Sequence, residues 1–152
     1  MSRLRISIVR NFSGNWFSDM DRTRLISRLF LGLYIIAVAV LCFSRFNSGL
    51  DLSATWMGIP KDKIVHFSMF FPYPILMYLA FFTGNTRPWR LVLFLVAVIL
   101  IGGTLAGVTE LIQGELKYRS ADIMDFRADC LGILTGTIIT FIVGVITIKR
   151  KK

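Results

Sequence analysis

The sequence predicts an all-α, polytopic membrane protein with four transmembrane helices and both termini on the cytoplasmic side. Three observations predict it. The 152 residues are 55% hydrophobic and only 18% charged, whereas an ordinary soluble domain carries roughly 25% charged and about 45–50% apolar residues. Four apolar runs come close to the roughly 20 residues that a helix needs to cross a ~30 Å hydrocarbon layer. The basic residues behind the net charge of +9 cluster in the segments that would share one side of that layer. The length fits one domain. Thirteen Phe and three Trp exclude a disordered chain, and two Cys cannot make a disulfide scaffold.

Residues 1–24 mix Arg with Leu, Ile, Trp and Phe, a composition that suits an interfacial arm or a flexible basic tail. No cleavable signal peptide is expected, because the first apolar run follows this basic segment and has no small-residue cleavage site after it. The membrane domain is predicted over 25–148. Its first helix runs from Leu25 to Ser44, with Arg28 reaching outward from the helix end. The second runs from Ile64 to Arg87 with His66 as its only ionisable group, and Pro72 and Pro74 predict a kink there. The third, Leu91 to Thr109, and the fourth, Cys130 to Ile148, are each nineteen residues without a charge. Four such runs leave too little polar surface to cover them in a soluble domain. The tail 149–152 (KRKK) is expected to set topology and touch anionic lipid. Cys42 and Cys130 are expected as small buried apolar side chains rather than as a disulfide.

Topology follows from the charges. The N-terminal arm, the Arg87–Arg90 connection and the tail hold twelve of the eighteen basic residues but only Asp19 and Asp21 of the nine acids. The other side holds six basic and seven acidic residues. The basic side is normally cytoplasmic, so the excess charge reports topology and no nucleic-acid partner is expected.

On the balanced, outward side the polar residues gather at helix ends. Asp62, Lys63 and His66 open the second helix, with Asp62 and His66 on one face at i,i+4. Glu110 and Gln113 close the third, on one face at i,i+3. Asp122, Asp125 and Asp129 open the fourth at spacings of three and four. The pairs Gly103/Gly107 and Gly132/Gly136 have small-xxx-small spacing, which predicts close packing of helices three and four.

The stretches DKIVHF (Asp62–Phe67), ELIQ (Glu110–Gln113) and RSADIMDFRADCLGILTG (Arg119–Gly136) resemble, in this order, the VanZ-like family of small bacterial membrane proteins. That family's pattern is Asp-Lys-x-x-His opening one helix, Glu-x-x-Gln closing the next, and Arg-x5-Asp-x3-Asn-x2-Gly-x3-Gly entering the last. Arg119, Asp125, Gly132 and Gly136 fall at the matching spacings, and the resemblance covers about half the chain. The chain departs from the pattern at Asp129, where the family has Asn, and Arg127 is an unusual residue for a first helical turn. The resemblance implies a multi-pass protein of the bacterial cytoplasmic membrane. It also implies a contribution to teicoplanin-type lipoglycopeptide resistance or envelope homeostasis, the founding member being associated with teicoplanin resistance. It carries no reaction with it.

The candidate polar site therefore comprises Asp62, Lys63, His66, Glu110, Gln113, Arg119, Asp125 and Asp129. Several readings are open. Arg119, Lys63 and protonated His66 suit the phosphate of an anionic envelope lipid or a cell-wall lipid intermediate. Alternatively, His66 serves as base or nucleophile of an intramembrane hydrolase or transferase on lipid-linked phosphate, oriented by Glu110, Asp125 and Asp129 or holding a divalent metal with them. A proton-coupled transporter, a subunit of a membrane complex, and a set of helix caps and ion pairs (Lys63 with Glu110, Asp129 with Arg127 or Arg119) complete the set. No segment has tight metal-ligand spacing, so no metal and no cofactor are expected.

Overall fold

The computed structural model describes residues 2–43, 55, 56, 58–82, 87–116 and 121–150. The chain is an all-α polytopic membrane protein with four helical segments long and apolar enough to span a bilayer. Helix α1 covers Ser2–Phe43 and contains the first span, Arg22–Phe43. Its 42 residues make a rod about 63 Å long, twice the ~30 Å hydrocarbon thickness. The boundary expected at residue 24 is thus no break in secondary structure: the arm's backbone continues the spanning helix. Strands β1 (Thr55–Trp56) and β2 (Ile59–Pro60) form a two-residue antiparallel hairpin, with Gly58 at φ 80 supplying the left-handed turn position.

The second span, Lys61–Phe81, is interrupted where the kink is expected: α2 (Lys61–Phe70) and α3 (Tyr73–Phe81) are joined by Phe71 and Pro72, whose backbone angles stay helical. Pro72 and Pro74 lack the N–H groups that the carbonyls of Ser68 and Phe70 would have accepted from in a continuous helix. The Tyr34 hydroxyl of α1 donates to the Met69 carbonyl, which lies between those two. Helices α4 (Pro88–Glu115) and α5 (Ile123–Arg150) have 28 residues each. Pro88 starts α4 at a position where a missing N–H costs nothing.

Each long helix has one buried face. On α4 it is Leu91, Leu95, Val98, Gly102, Ala106, Glu110 and Gln113, at steps of three and four. On α5 it runs from Asp125 and Asp129 through Gly132, Ile133 and Gly136 to Ile148. The opposite faces expose Leu93, Leu100 and Leu111 on α4 and Leu131, Ile138 and Ile142 on α5, the surface that meets lipid. Cys42, Met69, Phe70, Tyr73, Val98, Ala106 and Ile133 make the central core, and Leu91, Leu95 and Ile148 a second cluster at one end. Cys42 and Cys130 are free thiols, Cys42 buried and Cys130 partly so.

The glycine expectation needs correction. Gly132 and Gly136 do permit a close approach, but to α2 and α3 rather than to α4. A Cβ on Gly132 would lie 2.5 Å from the Phe67 carbonyl oxygen, and one on Gly136 would run into the Phe71 carbonyl oxygen and Pro74. The proline break, where ladder hydrogen bonds are missing, is pressed against α5 at these two positions. On α4, Gly103 has nothing within 4 Å and Gly107 makes only ordinary contact with Phe126. The tight position is Gly102, where a Cβ would come within 2.7 Å of Tyr73 and 3.1 Å of Ile133. Helices α4 and α5 do pack together, through the frame one residue earlier than the Gly103/Gly107 spacing implied.

Helix α1 packs mainly along α3. Arg28 does not simply reach into water. Its Nε donates to the Ala80 carbonyl at 3.3 Å near the end of α3, and its guanidinium lies 5.4 Å from the Phe81 ring centroid.

Candidate functional site

The antiparallel order of the spans brings the start of α2, the end of α4 and the start of α5 to one end of the bundle. Local signals fix each. Pro60 precedes α2 and places Asp62 in its first turn. Asp122 opens α5: its carbonyl accepts from the Asp125 N–H at 2.9 Å, and its Oδ1 accepts from the Met124 N–H at 2.9 Å. The Asp122 N–H in turn donates to Glu110 Oε2 at 3.1 Å, which ties the end of α4 to the beginning of α5. Gln113, 2% exposed, donates to the Cys42 carbonyl at 3.0 Å and so fastens the last turn of α1 to α4.

His66 is the centre of this arrangement. Its ring is 1% exposed. Nδ1 lies 3.0 Å from Asp129 Oδ1 and 3.8 Å from Glu110 Oε1; Nε2 lies 3.6 Å from Asp125 Oδ2 and 4.0 Å from Asp62 Oδ1. Only the Asp129 contact has hydrogen-bond length. Asp129 itself is fully buried. Asp129 therefore supplies a carboxylate to the imidazole. Arg127 is exposed, its guanidinium turned to Met124 Sδ at 3.6 Å.

Lys63 binds Asp122 and Asp125 and lies 3.7 Å from Asp62. It pairs with these three acids and not with Glu110. Hydrogen-bonded to Lys63, the Asp122 carboxyl sits below its ordinary pKa. Five carboxylates (Asp62, Glu110, Asp122, Asp125, Asp129) thus surround one ammonium and one imidazole, so this end is acidic among the described residues. Arg119 lies outside the described residues. Of the other seven predicted site residues, six are brought together here, and Gln113 instead ties α4 to α1 through the Cys42 carbonyl. Asp122 joins them, and its place in the three-and-four spacing with Asp125 and Asp129 was the signal for it.

Three atoms of the cluster are buried without a hydrogen-bond partner: His66 Nε2, Glu110 Oε1 and Asp129 Oδ2. Leaving a buried polar group unsatisfied costs about 1–3 kcal/mol, and three at one place mark where a water, ion or ligand atom belongs. The ligand-type atoms form two overlapping triads, Asp62/His66/Asp125 and His66/Glu110/Asp129, each with all atoms within 4.8 Å of one another. Spacing within segments does not reveal them because each triad draws on more than one helix. An apolar cavity of about 240 Å³ lies between α1, α4 and the α2–α3 segment, lined by residues including Tyr34, Phe70, Tyr73 and Thr109, the last adjacent to Glu110 in sequence. The Tyr73 hydroxyl is buried without a partner.

No protein-family model matches the chain, and no solved structure matches it. A curated relative does. "Uncharacterized protein C11E3.10" of Schizosaccharomyces pombe is 27% identical over 103 residues, which is 67% of this chain and 56% of the relative. The chain thus matches little more than half of that protein's length.

Proposed function

We propose that this is a VanZ-like membrane protein whose buried His66–carboxylate cluster acts on the phosphorylated head group of a membrane lipid, as an intramembrane hydrolase or transferase. The observation that carries the reading is the His66–Asp129 pair, held inside the helical bundle with three unsatisfied polar atoms around it. A carboxylate behind a buried imidazole orients the ring and fixes which of its nitrogens carries the proton. In the reaction, the oxygen of water or of an acceptor hydroxyl bonds to phosphorus and the bond from phosphorus to the leaving oxygen breaks. The cluster takes the nucleophile's proton and returns one to the leaving group. The apolar cavity beside Thr109 suits the acyl or isoprenoid tail of the same lipid.

The acidity of the cluster favours this over simple capture of a phosphate. Lys63, the ammonium within the cluster, is already shared among three carboxylates, so it is not free to take up an anion. The charge distribution supports termini on the cytoplasmic side and a site on the opposite face; the VanZ-like motifs support a bacterial cytoplasmic membrane. The test is release of phosphate or head group from lipid-linked phosphates by the protein reconstituted in liposomes. Turnover that is lost in His66→Ala supports the reading. Turnover equal in wild type and variant, or none with any lipid phosphate, ends it.

A further inference from the structure

The two nitrogens of His66 are in different situations. Nδ1 has the hydrogen bond to Asp129 Oδ1 at 3.0 Å, which fixes the proton on Nδ1 when Asp129 is ionised. Nε2 then presents a lone pair, and it is buried with no partner. It faces Asp125 Oδ2 at 3.6 Å and Asp62 Oδ1 at 4.0 Å. A lone pair confronting two carboxylate oxygens is repulsive. A proton on Nε2 would relieve the repulsion electrostatically, but it would not bond the ring to the two acids, because both oxygens lie beyond hydrogen-bond reach.

A cation would. A tetrahedral ion holding nitrogen and oxygen ligands at about 2.0–2.2 Å separates them by about 3.4 Å, a few tenths of an ångström shorter than the distances present. An octahedral magnesium ion, with its bonds of about 2.0–2.1 Å, would draw adjacent ligands to about 3.0 Å, a larger movement. We propose that His66 Nε2, Asp62 and Asp125 bind a divalent transition-metal ion of the zinc class, with Asp129 as the orienting carboxylate behind the imidazole. The arrangement of carboxylate, histidine and metal in series is the usual way a ligating ring is held. One imidazole and two carboxylates suit such an ion better than magnesium or calcium.

Three protein ligands leave a fourth position for water, the pattern of a catalytic rather than a structural site. Asp62, with its side chain 28% exposed, provides the way in. Lys63 occupies Asp125 Oδ1 and leaves Oδ2 turned to the ring. The inference deepens the reading as a lipid-phosphate enzyme, on which it rests for its chemistry: the ion would lower the pKa of the attacking water.

The test is metal binding by the full-length protein in detergent micelles, stripped with a chelator and then titrated with Co²⁺ and Zn²⁺ alone. One equivalent per chain is expected, with ligand-field bands of a low-coordinate site for Co²⁺ and a rise in the unfolding midpoint for Zn²⁺. Asp129→Asn should weaken binding by about 10–100-fold, and Asp62→Asn, at a partly exposed position, by at least as much. Glu110→Gln, on the Nδ1 side of the ring, should leave it unchanged. Absence of stoichiometric binding overturns the proposal. So does loss of binding in Glu110→Gln with retention in Asp62→Asn. A protein that binds the ion but turns over no lipid phosphate keeps this site and ends the functional reading. Turnover by protein that binds no ion does the reverse.

Discussion

Asp129 of α5 meets the Nδ1 of His66 on α2 at 3.0 Å, with Asp129 fully buried and His66 1% exposed. This contact joins two helices inside the bundle, where a buried charge needs a partner. The pair is a mutual requirement: neither group is tolerable there without the other. Its position explains why an ionisable cluster survives inside an otherwise apolar bundle, and why a second partner is still wanted on the far side of the ring.

Breaking that pair should be costly. Removing one partner of a buried pair typically destabilises by about 3–5 kcal/mol. Asp129→Ala and His66→Ala should each show a loss of that order in reversible denaturation in detergent. Asp129→Asn, which keeps a hydrogen-bond acceptor for Nδ1–H, should lose distinctly less.

The glycines should separate by position. Gly132→Ala and Gly136→Ala place a Cβ against backbone carbonyls of Phe67 and Phe71, and overpacking of this kind costs about 1–3 kcal/mol. Gly103→Ala meets nothing within 4 Å and should be neutral or stabilising by up to about 1 kcal/mol. Unfolding midpoints of the three variants, measured together, check this contrast.

Gln113 holds α1 to the rest of the bundle through the Cys42 carbonyl at 3.0 Å. Gln113→Ala leaves that carbonyl without this donor, at a cost of about 1–3 kcal/mol. The loss should be accompanied by faster alkylation of the buried Cys42 thiol, read by mass spectrometry.

Acid should release the Lys63–Asp122 interaction first at Asp122. Its hydrogen bond from Lys63 holds the carboxyl below the ordinary value of 3.8. A depressed carboxyl contributes stability that is complete above its unfolded pKa and lost as pH falls through the folded one. The difference in stability between wild type and Asp122→Asn should therefore be constant near neutrality and shrink below about pH 4. A difference that grows on acidification contradicts the assignment.

Topology is open to direct measurement. With Cys42 and Cys130 replaced by Ala, a single cysteine at the exposed position Glu115 should react with a membrane-impermeant maleimide added from outside intact cells. One at Lys149 should react only after permeabilisation. The opposite pattern inverts the orientation inferred from the Lys and Arg distribution.

By itself the sequence determined the class, and it placed most of the clustered polar side chains on shared helix faces. Run length and charge sufficed for four spanning segments, because spanning a hydrocarbon layer is a one-dimensional requirement that composition satisfies or fails. Spacings of three and four sufficed to put Asp62 with His66, Glu110 with Gln113, and Asp125 with Asp129 on common faces, because helical periodicity is local. Which face meets which is not local. Pro72 and Pro74 announced a disturbance, but only the tertiary structure turned it into a break seated on Gly132 and Gly136. It also moved the tight position on α4 from Gly103 to Gly102. Lys63 went to Asp122 and Asp125, and His66 to Asp129, by the relative rotation and height of three helices. The same three-dimensional fit left Nε2 facing two acids without a partner, a relation that no spacing along the chain encodes.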